Sequence, residues 1–213
     1  MKKQETSLNL LANFLPPNTF DMVAPYFKTH TIHLTLTHER KTVLGDYRNP
    51  VKGSPQHRIS VNINLNPYSF LITLLHELAH LLTFVHFHNN VAPHGKEWKT
   101  QFRHVLIPFI GKKIFPPDVE KALIAYIQNP AASTCSDMRL YKALWRYDEI
   151  KPNHVLVDDL DIGHWFEYDG HIFEKAEELK TRCKCLCLTN GKKYYFQGIV
   201  EVKQVKRDWR LIA

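Results

Sequence analysis

Apolar residues recur at two different spacings in the first part of the chain and predict both helices and strands there. Residues 8–15 and 19–27 show helical spacing, with Pro16-Pro17 between them. Alternation of apolar and polar residues follows, which is the pattern of half-buried strands. It predicts three short strands, at residues 32–36, 43–48 and 59–65.

The longest apolar run comes after Asn66-Pro67, a pair typical of the start of a helix. From Phe70 to Val85 apolar residues keep a helical period and leave almost no polar face. A helix of this kind is expected to be buried on all sides. A His-Glu pair and a further His interrupt the run, so we expect no membrane-spanning segment.

The chain after this helix shows two different patterns of apolar residues. Further helices are predicted at residues 96–106, 118–128 and 136–147, the second with Asp118 at its cap. Beyond Asn153 the apolar runs are short, and Asp169-Gly170 and Asn190-Gly191 are hairpin signals. We therefore expect an α+β protein. A body of short antiparallel strands and helices would span residues 1–150, and a small antiparallel β module would span residues 151–213.

Composition indicates a globular protein with a basic surface. Hydrophobic residues make up 44% of the 213 positions, which excludes a disordered or fibrous chain. The excess of 28 basic over 21 acidic residues gives a formal charge of +7, which favours polyanionic partners. Four cysteines, three of them bunched, are too few for a disulfide framework, and no cleavage site follows the basic start. We expect reduced thiols and a cytoplasmic location.

The buried helix contains the sequence His76-Glu77-Leu78-Ala79-His80, a match to H-E-x-x-H. Residues four apart lie on one helix face, so both imidazoles can meet a single ion while Glu77 can reach a water bound to it. Without partners, these polar groups would cost several kcal/mol in an apolar helix. A bound zinc ion would remove that cost.

A catalytic zinc ion needs a third protein ligand and an open fourth position. His94 is the best candidate, because a loop after His80 can turn the chain back and Gly95 permits close approach. His86 and His88 compete with it, but reaching back from the same helix is awkward. Two other readings stay open. In the first, the histidines are ordinary core residues bonded to backbone or carboxylate. In the second, the zinc is structural, with Cys135 or a further His as fourth ligand.

The segments HELAHLL and VAPHGKEWK, with the strand around Leu44–Arg48 and the pair Ile63-Asn64, resemble the SprT-like metallopeptidase domain family. That family includes the bacterial SprT proteins and the eukaryotic protease Spartan. The resemblance covers residues 20–110 well and weakens toward 150. It implies a zinc-dependent endopeptidase in which His76, His80 and His94 bind one zinc ion and Glu77 is the general base. For Spartan-like members it also implies cleavage of proteins attached to DNA.

The C-terminal module departs from the family pattern. Residues 181–185, TRCKC, resemble the first half of a zinc ribbon, but no second cysteine pair follows. Alternate residues of a strand share a face, so Cys183, Cys185 and Cys187 are expected to pack together as small apolar side chains. We therefore interpret residues 151–213 as a degenerate zinc ribbon that lacks the metal.

The basic tail supports an alternative function, a zinc-organised nucleic-acid-binding or regulatory module without proteolytic activity. Cations there are interleaved with Tyr194, Tyr195 and Trp209, a mixture that can contact phosphates and stack on bases of DNA, preferably single-stranded. A solvated β surface would have the same composition. A scaffold that binds proteins without cleaving them is a weaker third possibility. The candidate contacts are Lys192, Lys193, Lys206, Arg207 and Arg210.

The protease hypothesis also makes two predictions about substrate. The strand at residues 43–47 could receive a protein or peptide substrate as an added strand. The oxyanion of the reaction needs a stabilising group, for which Tyr47, Arg48 and His88 are candidates.

Overall fold

The computed structural model describes residues 8–38, 43–131, 137–149, 152–208 and 210. The chain divides into two compact units, residues 1–148 and 149–213. Helices and strands are both present, so the protein is of the α+β class as expected.

The described part of the N-terminal unit contains six α-helices, a three-stranded sheet and two short 3-10 turns. The helices are α1 (Leu8–Leu11), α2 (Phe20–Thr29), α3 (Pro67–Phe87), α4 (Lys96–Leu106), α5 (Pro117–Gln128) and α6 (Met138–Trp145), and the strands are β1 (Ile32–Thr37), β2 (Gly45–Arg48) and β3 (His57–Asn62). The predicted third strand was too long, because the chain already turns at Ile63-Asn64 to enter α3. Helix α5 begins one residue before Asp118, which lies in its first turn instead of capping it.

The sheet of this unit is mixed, which corrects the expectation of antiparallel strands. Its order is β1-β3-β2, with β1 and β3 parallel and β2 and β3 antiparallel. The direction of the chain reverses between β1 and β2 and again between β2 and β3. Strand β3 therefore runs in the same direction as β1. Because β3 lies between the other two strands, it pairs with β1 in parallel. Strand β2 is left as an edge strand.

Helix α3 forms the centre of the N-terminal core. Asn66 caps its first turn, where the side-chain oxygen accepts hydrogen bonds from the backbone N–H groups of Tyr68 and Ser69. Thirteen of its residues are buried, among them His76 and Glu77. By length and composition alone this helix is long and apolar enough to cross a membrane. It is mostly buried inside the unit, as core helices are.

The described part of the C-terminal unit is a six-stranded antiparallel sheet in the order β4-β9-β5-β6-β7-β8. Both predicted hairpins are present, and Gly170 and Gly191 adopt the positive φ angles that such turns need. The cysteines of β7 all lie buried on one face, as predicted, and are free thiols. The strands are β4 (His154–Leu156), β5 (Trp165–Tyr168), β6 (His171–Glu178), β7 (Cys183–Cys187), β8 (Lys193–Phe196) and β9 (Glu201–Val205).

Candidate metal centre

Three imidazoles converge beside α3. His76 and His80 leave the same face of the helix, and His94 comes from the loop that precedes α4. The Nε2 atoms of His76 and His94 lie 3.1 Å apart, those of His80 and His76 3.2 Å apart, and those of His80 and His94 2.9 Å apart. The structure thus brings together the three histidines that the sequence singled out, in a group that could hold a metal ion.

The separations fit a first-row metal ion. Metal–nitrogen bonds of about 2.0–2.1 Å in tetrahedral geometry place ligand nitrogens about 3.3 Å apart. Burial, reinforced by the neighbouring His80 and His94, lowers the pKa of His76 to about 3. Burial and His94 lower the pKa of His80 to about 4, and burial lowers the pKa of His94. The imidazoles are therefore neutral at pH 7, the state that binds metal. The reading of these residues as core histidines bonded to backbone or carboxylate does not explain three ring nitrogens directed at one point.

Trp98 forms one wall of the site. Its ring lies 4.6 Å from that of His76 and 4.7 Å from that of His94, and it stacks on Phe102 with an interplanar angle of 7°. The indole is fully buried, and its Nε1 has no hydrogen-bond partner among the described residues. This packing restricts the rotamers of two ligands and indicates a preformed site.

Glu77 lies beneath strand β2. Its side chain is 6% exposed. A Cβ atom on Gly45 would lie 2.5 Å from Oε1 of Glu77 and 2.7 Å from Cγ2 of Thr73. Only glycine therefore permits the observed approach of the strand to the carboxylate. Sequence reasoning missed this role, although a glycine inside a strand pattern is a known signal of close backbone approach.

Strand β2 turns its open edge outward. The N–H of Asn62 bonds the carbonyl of Leu44, so Asp46 and Arg48 also face β3 with their backbone groups. By the same alternation, Gly45 and Tyr47 direct their N–H and C=O groups away from β3. Their side-chain positions face α3, next to Glu77 and His80.

A cleft of about 320 Å³ adjoins the imidazoles, lined in part by Tyr47, Phe84, Val91 and Trp98. The hydroxyl of Tyr47 lies 2.9 Å from Nδ1 of His57. Burial raises the pKa of Tyr47, so the hydroxyl keeps its proton. The tyrosine is thus held at the cleft as a potential hydrogen-bond donor. Sequence reasoning did not find His57.

The other histidines and oxyanion candidates are placed differently. His86 Nδ1 lies 2.7 Å from the carbonyl oxygen of Leu82 in its own helix, so it is engaged away from the imidazole cluster. His88 follows α3 and lines the cleft. Arg48 points to the opposite face of β2, where it pairs with Asp46, so it does not face the cleft.

The five basic residues proposed as nucleic-acid contacts do not form one patch. Lys192 and Lys193 lie at the β7–β8 turn, whereas Lys206 and Arg207 follow β9, and three strands separate β8 from β9. Arg207 donates to the carbonyl of Gly163. Trp209 lies outside the described residues, and Arg210 pairs with Asp208 at 2.7 Å. These basic residues are close in sequence but lie near strands that are far apart in the sheet.

The positive charge also lies elsewhere than expected. Residues 149–213 carry 11 basic and 11 acidic residues, a net charge of zero. Residues 1–148 carry 17 basic and 10 acidic residues, which accounts for the whole excess of +7. The unit with the candidate metal centre is therefore the basic one.

Comparison with known proteins finds similarity over the part of the chain that contains this candidate centre. The SprT-like family model matches residues 19–109, which include all three imidazoles and Glu77. Protein SprT of Escherichia coli strain K12 is 47% identical over 55 residues, which cover 22% of this chain and 33% of that protein. Protein SprT of Klebsiella pneumoniae strain 342 is 64% identical over 31 residues, 15% of this chain and 18% of that protein. No solved structure matches.

These matches identify residues 19–109 as a SprT-like domain. The chain spans about a third of the length of the Escherichia coli relatives and 18% of that of the Klebsiella pneumoniae relative. The similarity thus includes the part of the protein that contains the imidazole cluster.

Proposed function

We propose that the N-terminal unit is a zinc-dependent endopeptidase. The convergence of three neutral imidazoles, with a buried glutamate on the same helix, is the observation that carries the proposal. Zinc is the metal of choice because nitrogen ligands at these separations suit its tetrahedral preference. Held there, it would polarise a peptide carbonyl and lower the pKa of a bound water toward ~7.

The protein's own groups divide the remaining work. Glu77 follows His76 directly on α3 and would accept a proton from the attacking water, then pass it to the leaving amine. The open edge of β2 would bind an extended peptide through the N–H and C=O groups of Gly45 and Tyr47. This arrangement would lay a backbone along the same strand that approaches Glu77 and His80.

Tyr47 is the better placed of the oxyanion candidates. It lines the cleft beside His80, and its protonated hydroxyl is a hydrogen-bond donor. With its Nδ1 protonated, His57 would donate to this hydroxyl and leave the tyrosine proton for the oxyanion. A donor at the position where negative charge develops is worth about 100- to 1000-fold in rate in other hydrolases.

We further propose that the substrates are proteins associated with DNA and that the enzyme works in the cytoplasm. The net charge of +7 on the catalytic unit supports a polyanionic setting. The free thiols of β7 suit a reducing compartment. The alternative, a nucleic-acid-binding or regulatory module without proteolysis, loses the support of the tail because the C-terminal unit has no net charge.

A substitution at Glu77 tests the proposal. Glu77→Gln keeps the size of the side chain but removes the base, so cleavage of a DNA-crosslinked protein should fall at least ~100-fold. Zinc measured by elemental analysis should stay near one ion per chain, whereas His94→Ala should lose it. Proteolysis by the Glu77→Gln protein at the wild-type rate would refute the assigned role.

A further inference from the structure

The outer face of the N-terminal sheet carries an unusual row of basic side chains. In the register of the strands, His33 of β1 lies opposite Arg58 of β3, and Arg58 lies opposite Arg48 of β2. Like charges directly opposite each other on one sheet face are destabilising. An anion bound at this row would reduce the repulsion between the two guanidinium groups.

The carboxylates of the sheet do not supply that anion fully. Asp46 pairs with Arg48 at 2.7 Å. Arg58 donates to the backbone carbonyl of Asn49 at 3.2 Å and has no carboxylate partner among the described residues. Arg48 and Arg58 are exposed, so both can change partners without leaving water.

The row borders a shallow cavity of about 210 Å³ on this face. The hydroxyl-bearing residues Thr35 and Ser60 form the next row, opposite each other and beside Asp46. Thr35 and Ser60 are buried, so the exposed guanidinium groups of Arg48 and Arg58 are the groups that can bind phosphate oxygens through several hydrogen bonds.

The face lies next to the proposed peptide cleft. Asn49, whose carbonyl oxygen accepts from Arg58, itself lines the cleft beside His80 and His94. Strand β2 separates the two sites, with Arg48 on one face and Tyr47 on the other. A strand of nucleic acid held on the outer face would keep an attached protein close to the cleft.

We infer that the row His33, Arg58 and Arg48 is a binding surface for the phosphate backbone of nucleic acid. The inference extends the proposed function by locating its DNA contact on the catalytic unit instead of on the tail. It does not depend on metal or on proteolysis, because binding is measured separately from cleavage.

Two double variants with the same change in charge test it. Arg48→Glu with Arg58→Glu alters the outer face, and Lys192→Glu with Lys193→Glu alters the β7–β8 turn. Each lowers the formal charge from +7 to +3. Both are made in the Glu77→Gln background, and thermal unfolding with zinc content verifies that each folds.

Binding of labelled single- and double-stranded oligonucleotides is measured by fluorescence anisotropy at several salt concentrations. The outer-face variant should lose at least ~10-fold in affinity, and the slope of log affinity against log salt should shrink by about 1.4–1.8 for two lost phosphate contacts. The turn variant should stay within about twofold of the parent. Equal losses in both variants, or no loss in the outer-face variant, would overturn the inference.

Inorganic phosphate distinguishes a nucleic-acid strand from a free anion as the ligand. A site built for a strand gains affinity from several phosphates, so inorganic phosphate should compete only at millimolar concentration or above. Competition at micromolar concentration would assign the face to a small phosphate-bearing molecule and overturn the nucleic-acid inference.

Discussion

Replacement of Gly45 by alanine provides a sharp test of how the proposed active site is assembled. The added Cβ atom would lie 2.5 Å from Oε1 of Glu77, whereas ordinary contacts begin at 3.4 Å. The strand and the carboxylate must therefore separate by about 0.9 Å, the difference between these two distances. Thr73 cannot yield as easily as Glu77, because a β-branched side chain in a helix has few rotamers.

The expected effect falls on the catalytic rate. A misplacement of about 1 Å in a reacting group costs on the order of 100-fold, or about 2.7 kcal/mol of transition-state stabilisation. We expect kcat/KM of Gly45→Ala for a peptide substrate to drop by about that factor. Zinc content should not change, since neither the imidazoles nor Trp98 is touched.

The second contact at this position supplies a control. The Cβ atom would also lie 2.7 Å from Cγ2 of Thr73, an atom that Thr73→Ser removes. In the double variant Gly45→Ala with Thr73→Ser we expect better stability but no recovery of activity. Recovery would show that strain against Thr73, and not displacement of Glu77, caused the loss. Activity of Gly45→Ala within threefold of wild type would refute the reasoning altogether.

Two further predictions concern stability. Because burial lowers the pKa of His76 to about 3 and of His80 to about 4, metal-free protein should keep its full stability above about pH 6.5 and lose it as pH falls toward these values, by at most about 1.4 kcal/mol per pH unit for each residue. Urea unfolding followed by helical circular dichroism measures this, and a flat profile between pH 7 and 5 would contradict it. Lys175→Met should destabilise the C-terminal unit by about 2–3 kcal/mol, because the fully buried Nζ donates to two backbone carbonyls. Lys184→Met, which removes only a surface ion pair, should cost under ~1 kcal/mol, and similar losses would refute the assignment.

The sequence predicted well those elements whose signals are local. Helix α3 follows from its apolar period and the Asn66-Pro67 start, and α4 has the predicted bounds. His76 and His80 are fixed relative to each other by helix geometry alone. His94 was chosen because a loop after His80 can turn the chain back, and the structure places its Nε2 atom 3.1 Å from that of His76 and 2.9 Å from that of His80.

Features that depend on pairing between distant strands were not predictable. The parallel pairing of β1 with β3 follows from the insertion of β3 between its neighbours, which no local pattern encodes. No local pattern predicts that Arg48 lies opposite Arg58, or that Lys192 and Lys206 lie near strands that are far apart in the sheet. In each case the tertiary arrangement, and not the spacing in sequence, decides which charges meet.

The three cysteines of β7 illustrate how strand geometry disfavours a zinc site made from one strand alone. Residues two apart on a strand lie about 6.6 Å apart on one face, whereas zinc needs thiolate sulfurs about 3.8 Å from one another. Burial raises the pKa of Cys183 to about 11 and that of Cys185 to about 12, so both thiols keep their protons. They pack instead against Phe166, Phe173 and the other core residues. This packing and the buried hydrogen bonds of Lys175 hold the sheet together.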